Sequence, residues 1–392
     1  MHQAAIASGR GGRQIFAEVI DELRHHVLGS YPRFVHARTA NETQGEIPVF
    51  VYHSIDPEEF EAHLLYLSEN GYQTIDCDTY LEILKGRRPA PARAVMLTID
   101  DGRASVYSTA FPLLQAYNMQ AVVFLIPGYI RDRGSAQAVA ADRQDLDLMT
   151  WSDIAEIARA GCVDFQSHTH FHHRVPVSDK LLGFVTPDTA TALFDVPVAP
   201  GHEPNPTASK TALLGYPIFE AASRMSGKPA FLPNESFVQN LLTTVRMAGP
   251  AFFQDSEWPQ KLEAVVEKWR QKLPALGRFE TSAETEAAIE NSLRVSKAEI
   301  ESRIPQASVR HLCFPYTIGS QLAVDIAKRT GYESCFWGLR QGQRCNRSGD
   351  DPMFSVRLKG DFLMRLPGTR RMSRSQIFLS KVKRRLSGAP VY

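Results

Sequence analysis

Two carboxylates stand side by side in AVMLTIDDGRASVY, residues 94–107, where an apolar run ends in Asp100, Asp101 and Gly102. Like charges this close repel, and burying them is costly unless something pairs with them. A solvent-facing Asp-Gly turn is the plain explanation. The alternative is a site where one carboxylate holds a metal ion and the other serves as a base. Three further groups bear on the choice. SHTHFHH carries His168, His170, His172 and His173, CFPYTIGS carries Pro315-Tyr316, and VYHSI carries His53. One carboxylate with two imidazoles is a recurring catalytic metal set, taken readily by zinc but also by cobalt, nickel or iron. The His168–His172 spacing suits one ion across a helical turn or tight loop, leaving His170 and His173 as bystanders. A dication beside Asp101 would offset its charge and leave Asp100 ionised as a base.

Each group alone has a bland reading: a turn, a polar loop, a hydrogen-bonded structural histidine. Their positions change this. From residue 47 the chain alternates short apolar runs with helical patterns: IPVFVYHSI, then the helix opened by Asp56-Pro57, QTID, CDTYLEILKG, RAVMLTIDDG, a helix holding Pro112, QAVVFLIPG, TWSDIAEIARAGC and VDFQSHTHFHH. This rhythm indicates a parallel sheet or barrel flanked by helices, in which active residues sit at the carboxyl ends of the strands. The aspartates and histidines fall at such ends. After residue 173 the rhythm breaks. The stretch 174–280 reads as an insertion capping the active site, with a separate small domain as the lesser option. Alternation resumes in TEAAIENSLRVSKAEIESRI, VRHLCFPY, SQLAVDIAKRTGY and SCFWGL.

The 392 residues are 43% hydrophobic and 22% charged, enough for a sizeable core. The net charge of +1 gives no indication of a nucleic-acid partner. Five cysteines without a C-x-x-C pair argue against a disulfide framework or a structural zinc site. The opening residues hold no apolar core of signal-peptide length, so a soluble cytoplasmic protein is expected. Residues 1–46 are read as a helical extension, with Ile15, Val19, Ile20, Leu23 and Val27 on one helical stripe. Residues 361–392 are read as a loop-like basic tail, solvated or in peripheral contact with a membrane surface or an anionic substrate.

These motifs resemble the metal-dependent polysaccharide deacetylases, carbohydrate esterase family four. Thr98-Ile99-Asp100-Asp101-Gly102 is similar to the family's T-F-D-D-G, and His168-Thr169-His170-Phe171-His172 to its H-[ST]-x-x-H. Phe314-Pro315-Tyr316 is similar to its third motif, which ends in Pro-Tyr. The resemblance covers roughly residues 47–173 and 285–340. It implies an α/β fold, a distorted (β/α) barrel built from 47–173 and 281–360. It also implies a divalent ion, zinc first, on Asp101, His168 and His172, with Asp100 as general base and the Tyr316 amide, after Pro315, holding the oxyanion. The implied substrate is an N-acylated amino sugar in a glycan, glycolipid or precursor. Two departures stand out. Where many members carry an arginine just before the Pro-Tyr to orient the base, this chain has Cys313 and Phe314; Arg310 is near in sequence and Arg357 is a further candidate. No histidine follows His311 to act as carboxyl-terminal general acid. The opening VFVYHSIDPEEFEAHLLYLSENGYQTI resembles the circularly permuted poly-N-acetylglucosamine deacetylase branch, which makes His53 the candidate acid. An N-deformylase or small-metabolite deacylase, and a catalytically inactive glycan-binding homologue, are the competing readings.

Overall fold

The computed structural model describes residues 31–132, 148–189, 196–201, 210–249, 251–340, 343 and 345–386. The amphipathic stretch expected within residues 15–27 lies outside them. Among the described residues the chain divides into two compact units, one of 31–171, Ser292–Thr317 and 324–386, the other of His172–Asn291 and Ile318–Ala323.

The first unit is built on a nine-stranded sheet whose strand pairings are parallel. Its strands are β1 (Val49–Tyr52), β2 (Gln73–Thr74), β3 (Ala94–Asp101), β4 (Ala121–Leu125) and β5 (Val163–Ser167). The second unit contributes β6 (Arg174–Phe184), β7 (Pro217–Ser223), β8 (Phe231–Pro233) and β9 (Gly277–Phe279). The sheet then resumes with β10 (His311–Cys313), β11 (Ser334–Trp337), β12 (Ser355–Val356) and β13 (Leu358–Lys359). The order is β12-β11-β10-β5-β4-β3-β1-β13, with β2 on β3. The two ends of this order are neighbours in the chain, separated only by Arg357. One short segment therefore pairs with β11 on one side and β1 on the other. That segment draws the sheet into a nearly closed barrel.

The strands read as the sequence predicts. β3 and β4 are buried along their whole length, as apolar strands covered on both faces must be. Helix starts follow their caps: the Asp56 side chain accepts from the Glu59 amide at 2.9 Å, and Thr150 and Asp153 form a capping box. Pro112 falls in the first turn of the Phe111–Ala116 helix, preceded by a π turn over Val106–Ala110. The π turn, in which the Phe111 amide reaches back to the Val106 carbonyl, accommodates the proline ring within a continuous helical stretch.

Two features of the sequence reading are corrected, and the stretch after residue 173 forms a unit of its own, the lesser option of that reading. The segment after residue 338 holds two strands, β12 and β13, too short to show a period. The region from 361 is not a loose tail: a 3-10 turn spans Gly360–Arg365 and a helix spans Arg374–Leu386. It is anchored by Ile377, Arg365, Arg371 and the buried Lys381, which pairs with Asp361 at 3.4 Å. The stretch after His172 has a core of its own around Phe219, Phe231, Phe237, Leu241 and Leu262. It contains the antiparallel pairs β6–β7 and β8–β9 and the helices Glu235–Ala248 and Trp258–Lys272. Buried Glu280 locks this unit by accepting from Arg224 at 2.7 Å, the Ala230 amide at 2.9 Å and Thr285 at 3.1 Å.

Arg357 at the closure is 3% exposed and makes a two-pronged pair with Asp100, Nη1 to Oδ1 at 2.7 Å and Nη2 to Oδ2 at 2.8 Å. Breaking a buried pair strands a charge, whereas removing both charges does not. Arg357→Met is expected to cost roughly 3–5 kcal/mol of unfolding free energy. The double variant Arg357→Met/Asp100→Asn is expected to recover part of that loss. Urea denaturation of the three proteins checks it, and a single variant as stable as the parent would refute the closure role.

Candidate metal centre and base

Because every pairing in the sheet is parallel, the carboxyl ends of β1, β3, β5 and β10 share one rim, and all the singled-out motifs lie there. β3 delivers Asp100 and Asp101, each 2% exposed. The strand turns at once: Asp101 has φ 73° and Gly102 φ 77°, and a Cβ on Gly102 would stand 2.8 Å from Leu125. Glycine is the residue that meets both demands.

The histidine loop after β5 is tight. Thr169 and His172 adopt φ of 66° and 56°. The loop lies on Gly128, whose amide donates to the His170 carbonyl at 2.9 Å and where a Cβ would meet the Phe171 ring at 2.4 Å. The helix Ser282–Arg303 supports it, with Ser296 on Ser167 at 2.7 Å and Ser292 accepting from the His170 amide at 3.4 Å. The turn after β10 is left-handed as well, with φ of 57° at both Tyr316 and Thr317. Five of the eight non-glycine residues with positive φ among the described residues thus sit in the three motifs. Such conformations cost of order 1–3 kcal/mol each and gather where function over-determines the backbone.

Asp101, His168 and His172 offer ligand atoms within 4.8 Å of one another, all buried. His168 donates from Nδ1 to the Cys313 carbonyl at 2.9 Å, which fixes the tautomer and leaves Nε2 as an acceptor. That Nε2 is 3.7 Å from Asp101 Oδ1, while Asp101 Oδ2 accepts from Arg103 at 2.9 and 3.1 Å. One carboxylate and two imidazoles with such backing fit a divalent ion. A second group, Asp100, His168 and Cys313, is equally compact, but its cation is already present. Arg357 reaches both Asp100 and the Cys313 sulfur, the latter at 2.9 Å, and Nη1 also donates to Thr98 at 3.1 Å. The two aspartates differ in how their oxygens are used: the Arg357 fork takes both oxygens of Asp100, whereas Arg103 takes Oδ2 of Asp101 and Oδ1 faces His168.

Burial by itself would raise the Asp100 pKa, but Arg357 and then His168 overcome it and hold the carboxyl well below the usual range. Burial pushes the Cys313 thiol up, so it is neutral, 3.6 Å from Asp100. His53 follows β1, which pairs directly with β3, and its Nε2 lies 3.9 Å from Asp100 Oδ2 with its side chain 30% exposed. Burial lowers its pKa, against the pull of Asp101 and Asp100. Of the arginine candidates, Arg357 reaches the base. Arg310 pairs with Glu333 at 2.8 Å and Asp78 at 2.5 Å instead. His170 faces Glu299 at 3.5 Å, outside the ligand group, and burial lowers its pKa to about 4. Arg103 and the Cys313 carbonyl went unnoticed in the sequence. An arginine two residues past an Asp-Asp pair was the available signal for the first; a backbone carbonyl leaves none.

Residues 87–192 match the family model of polysaccharide deacetylase. The chain is 33% identical over 122 residues to the poly-beta-1,6-N-acetyl-D-glucosamine N-deacetylase of Escherichia coli (strain K12), covering 31% of this chain and 18% of that protein. It is 23% identical over 128 residues to the protein of the same name from Staphylococcus aureus (strain MRSA252), covering 33% and 41%. The chain thus spans less than half the length of these relatives. Two solved structures share the fold, each with a TM-score of 0.51. The de-N-acetylase from Aggregatibacter actinomycetemcomitans is 18% identical, with 85% of this chain and 99% of that one covered. The BpsB deacetylase domain from Bordetella bronchiseptica is 19% identical, with 80% and 95% covered. Over residues 87–192 the chain is thus similar to the polysaccharide deacetylases, and its nearly closed parallel barrel is the fold of these two structures.

Proposed function

We propose that this chain is a metal-dependent hydrolase that removes an N-acetyl group from an amino sugar in a glycan, glycolipid or sugar precursor. The observation that carries the reading is the different use of adjacent carboxylates: Arg357 takes both oxygens of Asp100, while Asp101, held by Arg103 through Oδ2, is grouped with His168 and His172. The curated relatives named as N-acetylglucosamine-polymer deacetylases support the substrate class.

Asp101, His168 and His172 would hold the ion, zinc first by the chemistry of the set, with cobalt, nickel or iron as substitutes. A bound divalent ion supplies Lewis acidity and makes water a better acid. The chain's own groups do the rest. Asp100 is ionised and takes the proton of the attacking water, whose oxygen bonds to the acyl carbon. Arg357 keeps Asp100 charged and fixes both its oxygens. The Tyr316 amide, in the left-handed turn after Pro315, donates to the developing oxyanion, worth roughly 3–4 kcal/mol of barrier. His53 gives its proton to the leaving nitrogen as the C–N bond breaks, and acetate and a free amine depart.

Two outcomes are expected. Elemental analysis finds about one divalent ion per chain, consistent with a single three-ligand set, and none in His168→Ala/His172→Ala; an unchanged metal content in that variant would exclude the ligand assignment. Asp100→Asn, with its fold checked by circular dichroism, retains the ion. It is expected to lose at least about a hundredfold in acetate release from N-acetylated glucosamine oligomers. Turnover by Asp100→Asn at the parent rate would remove the base from Asp100, and formate release in place of acetate from N-formyl substrates would favour a deformylase.

A further inference from the structure

The carboxyl-terminal part of the barrel unit carries charge that the rim does not use. Between Arg365 and Arg385 the sequence holds eight basic residues and no acidic one. Some are spent on anchoring. Lys381 pairs with Asp361 and lies 4.5 Å from the centre of the Phe362 ring, and Arg370 pairs with Glu69 at 3.1 Å.

Arg365 and Arg371 are held differently. Their guanidinium groups donate to backbone carbonyls: Arg365 to Val35 at 2.7 and 3.1 Å and to Met372, Arg371 to Val35 at 3.0 Å, Phe34 at 3.2 Å and Arg365 at 2.9 Å. Burial, then Arg371 and Arg374, bring the Arg365 pKa down to about 10; burial lowers that of Arg371. The acidic group acting on Arg371 is Glu42, whose own oxygens accept from the Arg38 and Thr39 amides. The result is a patch of three arginines in which positive charge is concentrated without a carboxylate bonded to Arg365 or Arg371.

The Arg374–Leu386 helix continues this patch. Ile377 is buried and faces the barrel, while Leu379 is 64% exposed. Met364, Met372, Ile377 and Ser380 line one side of a cavity of about 650 Å³ that also takes in His53. A helix rich in basic residues that exposes a leucine is the pattern of interfacial binding. The leucine argues for a partner with an apolar interior, and the +1 net charge of the whole chain gives no general affinity for polyanions. No helix among the described residues is long and apolar enough to cross a membrane, so the contact is peripheral.

We propose that the Arg365–Arg371–Arg374 cluster and the Arg374–Leu386 helix form a docking surface for an anionic lipid bilayer, which holds the cavity beside His53 at the headgroup plane. The proposal does not depend on the deacetylase reading and is tested without turnover.

The full chain is sedimented with vesicles of phosphatidylcholine, with or without about one-third phosphatidylglycerol, at about 0.1 and 0.5 M NaCl. Binding is expected to the anionic vesicles only, and to weaken at the higher salt. Arg374→Glu/Lys383→Glu is expected to weaken it at least about tenfold, from about 1 kcal/mol per cation near the surface. Leu379→Ser, which removes an exposed side chain, weakens it at both salt concentrations. Circular dichroism melting confirms that both variants fold. Equal binding to neutral vesicles, or undiminished binding by the charge-reversed variant, would overturn the proposal. Displacement by inorganic phosphate at constant ionic strength would also overturn it, assigning the cluster to a soluble phosphate-bearing ligand.

Discussion

The site depends on one buried ion pair, Arg357 with Asp100. A carboxylate at 2% exposure cannot stay ionised without a partner at hydrogen-bonding distance. The fork geometry of a guanidinium satisfies both oxygens and leaves their orientation no freedom. The residue that does this is also the link between the two end strands of the sheet. Barrel closure and the charge state of the candidate base are therefore one constraint: if the segment 355–359 is misaligned, the pair is lost and Asp100 is buried without compensation.

With Asp100 neutralised from the barrel interior, Asp101 can turn the other way. The left-handed conformation at Asp101 sends successive side chains to different tasks, and the same device recurs at Thr169, His172 and Tyr316. A regular strand or helix end would spread these groups along a line. Single left-handed residues gather them around a point, at an energetic cost that the buried strands β3 and β4 and the Ser292/Ser296 supports can sustain.

Much of this was legible in the sequence because it rests on local rules. The apolar runs and caps gave the βα alternation, and Asp100-Asp101, His168 and His172 stood out by type and spacing at strand ends. The less legible parts are those set by non-local geometry. Two-residue strands such as β12 and β13 carry no periodicity, so the segment that closes the barrel read as loop. The basic residues from 365 onward suggested a solvated tail. Basic side chains can be held within a fold when oxygen partners meet them, however: Lys381 is buried against Asp361, and half-buried Arg371 donates to the Val35 carbonyl. The antiparallel β6–β7 pair joins strands far apart in the chain with an irregular register, so no alternation marked it.

The distance in sequence between Arg357 and Asp100, or between His53 and the candidate metal ligands, is no obstacle to their working together. In a barrel each strand has two neighbours whatever its place in the chain, and β1 lies between β3 and β13. A group at the carboxyl end of any strand on that rim can serve the same point. The proposed chemistry requires an arginine that reaches the candidate base and an imidazole within reach of the leaving group, and the topology leaves their order open. Arg310 illustrates the converse. It is three residues from Cys313, yet it lies before the amino end of β10 and spends its charge on Asp78 and Glu333, far along the strand direction from the rim. Position along the strand, rather than proximity in sequence to a motif, decides which arginine holds the base.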